Sequence, residues 1–143
     1  FIPGLACFLV AQVIYLTTFF LTPGNNVISR EKAYLLFPVL LYGIGFIYIL
    51  YDDLGDMKLP VIVYTVVILT MLVSAINRLR KVNWLSYYLV LAGAILFVLS
   101  DSALAINKFT WDFDYSEPII MSTYLAGQYL IVTGYIKGKT NYD

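Results

Sequence analysis

The sequence predicts an all-α protein, a polytopic membrane helix bundle with five transmembrane helices in this chain. Hydrophobic residues make up 61% of the chain and charged residues 13%, whereas soluble domains carry about 25% charged residues. Five runs of about 20 apolar residues are each long enough to cross a bilayer. These runs lack the alternation of apolar and polar residues that membrane barrels show, so we expect helices to span the membrane.

The five predicted helices cover residues 1–21, 33–51, 59–76, 85–106 and 118–136. The connectors between them are short and hold most of the Gly, Pro, Asn and Asp residues that favour turns. No connector is long enough to separate two domains, so we expect residues 1–143 to form one helical domain. Because Phe1 already lies in an apolar run, we expect this domain to be the C-terminal part of a larger one.

The basic residues are divided unequally between alternate connectors. Seven of the nine Lys and Arg residues fall in the first connector, the third connector and the C-terminal tail, while Lys58 and Lys108 occupy the other two connectors. The positive-inside rule therefore predicts a cytoplasmic C-terminus, and we expect a bacterial inner membrane. Aromatic side chains at the span edges are expected to anchor the helices at the headgroups. These residues are Trp84, Tyr87, Tyr88, Trp111, Phe113 and Tyr115.

Composition also excludes several classes of function. Nine basic and nine acidic residues cancel, so no net positive field favours nucleic acid as a partner. The single cysteine, Cys7, cannot form an internal disulfide, and without histidine the chain lacks the usual metal-binding clusters. We therefore expect neither a metal nor a cofactor. The oligomeric state is left open.

Asp101 is the only Asp or Glu inside any of the apolar spans, in the run of residues 93–105. A carboxylate within a bilayer costs about 2.5 to 3.5 kcal/mol even on insertion scales, so such residues usually face a partner, a cavity or a reaction. Asp101 lies five residues before Ile106, which places it about 7 to 8 Å inside the extracytoplasmic end of the predicted helix. Asp101 is the leading functional candidate. A structural role is an equally open alternative, in which its carboxyl group bonds to a neighbouring helix or reaches the lipid headgroups.

Further polar residues lie inside the spans and predict an interior polar network. Tyrosine and glutamine can both donate and accept hydrogen bonds, so they are suitable partners for a carboxyl group; the alternative is that they simply bond one helix to another. Pro38 in the second span predicts a kink. The polar candidates are Gln12 and Tyr15 in the first span, Tyr64 in the third, Ser100 and Ser102 in the fourth, and Tyr124 and Gln128 in the fifth.

Two sequence strings are the most specific features of the chain. Gly-Ala-x-x-Phe-x-x-Ser-Asp-Ser begins at Gly93, and Thr-Tyr-x-x-x-Gln begins at Thr123 one helix later. Together with residues 8–15, residues 64–71 and Phe109, these strings resemble the YhhN family of lysoplasmalogenases over essentially the whole chain. The resemblance implies a bundle of eight helices, of which three would precede Phe1. It also implies further polar residues, including an acid, in those helices.

The resemblance implies hydrolysis of the vinyl ether bond of lysoplasmalogens to a fatty aldehyde and a glycerophospho-base. A membrane lipid would be the substrate, and Asp101 would act as the acid or as acid and base. The family has His where this chain has Gln12, and Gln cannot titrate. Roles in orienting the acid or in contacting the substrate are implied for Gln12, Tyr15, Tyr64, Ser100, Ser102, Tyr124 and Gln128.

This reaction requires protonation of the alkenyl carbon, an oxocarbenium ion, addition of water and collapse of a hemiacetal. A carboxyl group in a low-dielectric bundle favours its neutral form and is a fitting proton donor. General acid catalysis contributes about 10² to 10⁴-fold, so a second carboxylate would be needed for a larger acceleration. Two alternatives stay open: a small proton- or cation-coupled transporter that uses Asp101 as the coupling site, and a non-catalytic scaffold.

Overall fold

A computed structural model describes residues 2–21, 33–79 and 81–139, and these residues form helices without any strand. Four of the helices, with their adjoining turns, are long and apolar enough to cross a membrane, and the apolar part of the first covers Leu9–Phe20. The predicted class, an all-α membrane bundle of five helices, is confirmed. The helices are α1 (Ile2–Phe20), α2 (Leu36–Leu50), α3 (Lys58–Ile76), α4 (Trp84–Phe109) and α5 (Ser116–Lys139).

Helix α4 is longer than residues 85–106, the predicted range, and its ends explain the difference. At its start the Asn83 side chain accepts a 2.7 Å hydrogen bond from the Ser86 backbone N–H, as N-cap residues do. At its other end the helix continues through Asn107 and Lys108 to Phe109. Asp101 therefore lies about 12 Å from the end of the helix rather than 7 to 8 Å.

Pro38 lies in the first turn of α2, which begins at Leu36 after a short 3₁₀ turn, Ala33–Leu35. The first turn of a helix has no intrahelical acceptors for its N–H groups, so a proline is tolerated there. The kink at Pro38 stays a prediction, and the α-helix itself begins later than expected.

Helices α4 and α5 pack against each other along most of their length, and glycines set the distance between them. A Cβ atom at Gly93 would lie 2.7 Å from the Gly127 carbonyl oxygen and 2.8 Å from the Ile131 backbone nitrogen. Real Cβ atoms do not approach backbone atoms so closely, so position 93 requires glycine. A Cβ atom at Gly127 would lie 3.0 Å from the Gly93 carbonyl oxygen, which is tighter than usual. Small residues commonly allow such close crossings of membrane helices.

The core lies between α1, α3, α4 and α5. Helix α1 packs against α3, and α3 packs against α2 and α4. Helix α2 sits at the edge, with Val39, Gly43 and Leu50 as its buried residues. The buried core side chains include Phe19, Ile68, Met71, Val90, Phe97 and Ile131.

Arg78 closes the end of the bundle where α3 ends and α4 begins. Its guanidinium group lies 5.2 Å from the Phe19 ring and 5.5 Å from the Tyr135 ring, and it donates a 3.3 Å hydrogen bond to the Ser86 hydroxyl. The side chain is 1% exposed. Nearby, burial lowers the pKa of the Lys81 ammonium, and the positive charge of Arg78 adds to this effect.

The ends of the helices test one prediction and leave part of another outside the described residues. Tyr87 is 7% exposed and packs against Leu79, so it is a packed residue of the bundle and not the anchor in the headgroup layer that we expected. Several basic residues that support the predicted orientation, Arg30, Lys32 and Arg80, lie outside the described residues.

Candidate functional site

Helices α2, α3 and α4 line a partly open cavity of about 200 Å³. Its lining adjoins a cluster of buried residues around Leu50, Leu54 and Val61. Most of the side chains that line it are hydrocarbon, as expected of a site for an apolar ligand. The apolar lining includes Phe46, Val61, Ile68, Val98, Leu104 and Phe109.

The Asp101 carboxyl group lies on the wall of this cavity and is 9% exposed. The Tyr64 hydroxyl donates a hydrogen bond of 2.5 Å to Asp101 Oδ2. When the carboxyl group is neutral, Tyr64 therefore fixes Oδ2 as the acceptor and leaves Oδ1 to carry the proton. The lone acid of the spans thus faces an apolar cavity with one oxygen already bonded.

A second pair of hydroxyl groups lies on the wall of the same cavity. The Tyr42 hydroxyl and Ser102 Oγ are 2.5 Å apart, and Ser102 Oγ donates to the Val98 carbonyl oxygen at 2.7 Å. Because the serine hydrogen is used in that bond, Tyr42 must be the donor to Ser102. The bond joins α2 to α4 at the cavity wall. We did not predict Tyr42 as a site residue, although a tyrosine within an apolar span was the same signal that identified Tyr64.

Gln128 of α5 bonds to Tyr15 of α1 and to Tyr124 of its own helix. The Tyr15 hydroxyl donates to Gln128 Oε1, and Gln128 Nε2 donates to the Tyr124 hydroxyl at 3.1 Å. The Tyr124 ring packs edge to face on Phe97. Tyr15, Tyr64 and Tyr124 all pack against the same core cluster. The chain Tyr15–Gln128–Tyr124 is therefore connected to Tyr64 through that core.

The remaining two predicted residues lie away from the cavity. Ser100 Oγ donates a 2.8 Å hydrogen bond to the Ile120 carbonyl oxygen of α5. Gln12 is fully buried in α1, and among the described residues its side-chain amide has no hydrogen-bond partner. The structure thus brings together Asp101, Tyr64 and Ser102 at the cavity, and it places Gln12, Tyr15, Ser100, Tyr124 and Gln128 elsewhere in the interior.

The first of the two sequence strings can now be explained residue by residue. Gly93 permits the close approach of α5, and Phe97 is part of the core. Ser100 ties α4 to α5, whereas Asp101 and Ser102 line the cavity. One helix therefore carries both the packing surface for α5 and the polar groups of the site. Across residues 2–21, 33–79 and 81–139 we find no group of three or more Cys, Asp or Glu side chains placed to hold a metal ion.

Comparison with known proteins supplies the context for this site. The YhhN family model matches residues 1–135. Lysoplasmalogenase TMEM86B of Homo sapiens is 31% identical over 131 residues, which cover 92% of this chain and 52% of that protein. Lysoplasmalogenase TMEM86A of Bos taurus is 30% identical over 142 residues, covering 97% of this chain and 57% of that protein. The chain thus spans about half the length of these curated relatives. No solved structure matches it.

Proposed function

The chain belongs to the YhhN family, and from this premise we propose that it takes part in hydrolysis of the vinyl ether bond of lysoplasmalogens. The products are a fatty aldehyde and a glycerophospho-base. The names of the relatives support the substrate. The observation that carries the proposal is the Asp101 carboxyl group, which faces an apolar cavity and is held there by the Tyr64 hydroxyl.

Asp101 Oδ1 gives its proton to the alkenyl carbon that is not bonded to oxygen. The π electrons form the new C–H bond, and an oxocarbenium ion develops at the neighbouring carbon. The Asp101 carboxylate that remains is negative and close to this cation, while Tyr64 stabilises the carboxylate by donating to Oδ2. Such fixed charges and donors, placed where charge develops, are usually the largest contribution to catalysis.

Water then adds to the cationic carbon, and Asp101 accepts a proton from it as the C–O bond forms. The hemiacetal collapses when its hydroxyl proton passes to the glycerol oxygen and the bond between that oxygen and the former alkenyl carbon breaks. Aldehyde and glycerophospho-base leave, and Asp101 is neutral again. One carboxyl group can therefore serve as acid and then as base, and among the described residues Asp101 is the acid that lines the cavity.

The other polar residues support this site at a distance. We propose that the Tyr15–Gln128–Tyr124 chain helps to orient Tyr64 through the core cluster that Tyr15, Tyr64 and Tyr124 all pack against. Ser100 holds α4 against α5 next to Asp101. Ser102 is considered with Tyr42 below. Gln12 is fully buried in α1 and does not line the cavity, so its proposed role is to support the site through the packing of α1.

The substrate reaches the cavity from the bilayer. Tyr42 is 37% exposed on the outer side of the cavity, which supports entry of a lipid between α2 and α4. The cytoplasmic C-terminus remains our proposal and rests on the distribution of Lys and Arg in the sequence. The bacterial inner membrane is likewise proposed, on the basis of the sequence resemblance alone.

The test is aldehyde release by the full-length protein from lysoplasmenylethanolamine or lysoplasmenylcholine in deuterated water. Protonation at carbon places one deuterium on the carbon next to the aldehyde group, which mass spectrometry detects after immediate reduction of the aldehyde. We expect aldehyde release with one deuterium incorporated. Absence of aldehyde release, together with uptake of a solute by sealed vesicles that is lost in Asp101→Asn, would contradict the proposal and favour a proton- or cation-coupled transporter.

A further inference from the structure

We propose that Tyr42 and Ser102 form a subsite for a free hydroxyl group on the substrate, next to the ether that reacts at Asp101. This subsite would select glycerol lipids whose neighbouring carbon carries a hydroxyl over those in which that oxygen is an ester or an ether. The inference rests on the proposed function, because it names a specificity determinant of the same site.

Few polar side chains line the cavity. Among the described residues that line it, five carry a side-chain oxygen: Asp101, Tyr64, Tyr42, Ser102 and Thr65. Thr65 Oγ1 donates to the Val61 carbonyl oxygen of its own helix at 2.8 Å. Asp101 and Tyr64 are bonded to each other and are assigned to the reaction. Of these five residues, Tyr42 and Ser102 therefore form the polar pair that has no role in the proposed reaction.

Both hydroxyl hydrogens of the Tyr42–Ser102 pair are already used in hydrogen bonds. The Ser102 hydrogen is used on the Val98 carbonyl oxygen, and the Tyr42 hydrogen is used on Ser102 Oγ. With both hydrogens committed, the pair can offer only oxygen lone pairs to a ligand. A substrate hydroxyl can donate to the Tyr42 oxygen, whereas an ester or ether oxygen has no hydrogen to donate. The pair therefore discriminates donors from acceptors.

The Tyr42–Ser102 pair shares the cavity with the carboxyl group of Asp101. Ser102 follows Asp101 directly on α4, and Tyr42, Ser102 and Asp101 all line the same cavity. A hydroxyl on the glycerol carbon next to the ether-bearing carbon is only a few bonds away from the alkenyl group. A substrate that places its alkenyl carbon at Asp101 therefore brings this hydroxyl to neighbouring groups of the wall. In surroundings that are otherwise hydrocarbon, a hydrogen bond there is worth more than it is in water.

The test compares two substrates of the full-length protein. One is lysoplasmenylethanolamine, with its free hydroxyl; the other is its methoxy analogue, which keeps the oxygen and loses the donor hydrogen. We expect the wild-type protein to prefer the free hydroxyl by roughly 10- to 100-fold in kcat/KM, since the analogue leaves the Tyr42 oxygen without a donor. In Tyr42→Phe this preference should fall towards one, mainly because hydrolysis of the hydroxyl substrate slows.

Ser102→Ala gives a second and opposite response. Without Ser102 Oγ, the Tyr42 hydrogen is released and can be donated to the methoxy oxygen. We expect kcat/KM for the methoxy analogue to rise in Ser102→Ala and not in Tyr42→Phe. If the pair had only a structural role, kcat/KM would fall equally for the two substrates in both variants. Tyr48→Phe is the matched control, because Tyr48 lies on the same helix, is 82% exposed and does not line the cavity; its preference should match that of the wild type.

The outcomes separate the two proposals. If the wild-type protein releases no aldehyde from either substrate, the result contradicts the proposed function and the subsite proposal that rests on it. A wild-type protein that hydrolyses both substrates with equal kcat/KM overturns the subsite and leaves the proposed function standing. Unchanged preference in folded Tyr42→Phe also overturns it. Should Tyr42→Phe fail to fold, a Ser102→Ala variant without any gain on the methoxy analogue overturns it as well.

Discussion

The Tyr64 hydroxyl of α3 donates a hydrogen bond of 2.5 Å to Oδ2 of Asp101 on α4. This bond joins the two helices inside the bundle and determines which carboxyl oxygen remains free. A lone acid in an apolar span is expensive, and its position on the wall of a cavity bounded by α2, α3 and α4 gives that cost a functional interpretation. The predictions below follow from this bond and from the packing that holds α4 in place.

Tyr64→Phe should slow the reaction without abolishing it. The variant keeps the ring and removes the donor to Oδ2, so Asp101 loses its orientation and the carboxylate loses one hydrogen bond in the transition state. A bond to a charged group is worth about 1.5 to 3 kcal/mol, which corresponds to a decrease in kcat of roughly 10- to 100-fold. Steady-state kinetics of aldehyde release measures the effect. Tyr129→Phe, at a tyrosine of α5 that is 70% exposed, is the matched control, and equal kcat values for the two variants would contradict the role of Tyr64.

Gly93→Ala should destabilise the bundle. The added Cβ would meet backbone atoms of Gly127 and Ile131, which cannot move aside as a side-chain tip can, and overpacking of this kind typically costs about 1 to 3 kcal/mol. Denaturation in detergent micelles, followed by circular dichroism, measures the change. Gly45→Ala is the control, because nothing lies within 4 Å of a Cβ at that position and alanine favours helix over glycine. A Gly93→Ala variant as stable as Gly45→Ala would refute the close crossing of α4 and α5.

Tyr15 and Gln128 should be energetically coupled. The Tyr15 hydroxyl donates to Gln128 across the interface between α1 and α5, and hydrogen bonds between membrane helices average about 0.6 kcal/mol and reach about 1.7 kcal/mol. A double-mutant cycle with Tyr15→Phe and Gln128→Leu should therefore give a coupling free energy of about that size. Tyr48→Phe, at an exposed tyrosine of α2, in place of Tyr15→Phe should give additive effects with Gln128→Leu. Additivity for the Tyr15 pair as well would mean that this bond does not form.

Much of the fold was predictable because it depends on local and compositional signals. Apolar length and the absence of alternation predicted a helical membrane bundle, and Asp101 was singled out as the only acid of the spans. Helix ends were less predictable: Asn107 and Lys108 are polar, yet they extend α4 and place Asp101 farther from the helix end than expected. The start of the second helix was also placed too early, because the 3₁₀ turn before it, Ala33–Leu35, is as apolar as a helix.

The partners of the polar residues could not be predicted from one helix at a time. Spacing along α5 correctly placed Tyr124 and Gln128 one turn apart, and they are bonded to each other. Spacing does not say which neighbouring helix they face, and the donor to Asp101 comes from α3 instead of α5. Tyr42 was missed for the same reason, since its bond to Ser102 depends on how α2 packs against α4.

The most direct test of the account is the rate of aldehyde release by full-length Asp101→Asn, with Asp112→Asn as the control. Asn preserves the shape of the side chain but cannot give up a proton, whereas Asp112 is an exposed acid in the connector after α4. We predict that Asp101→Asn folds as the wild type does and loses about 10² to 10⁴-fold in kcat, while Asp112→Asn keeps wild-type turnover. A folded Asp101→Asn variant with wild-type turnover would contradict the central claim that Asp101 donates the proton.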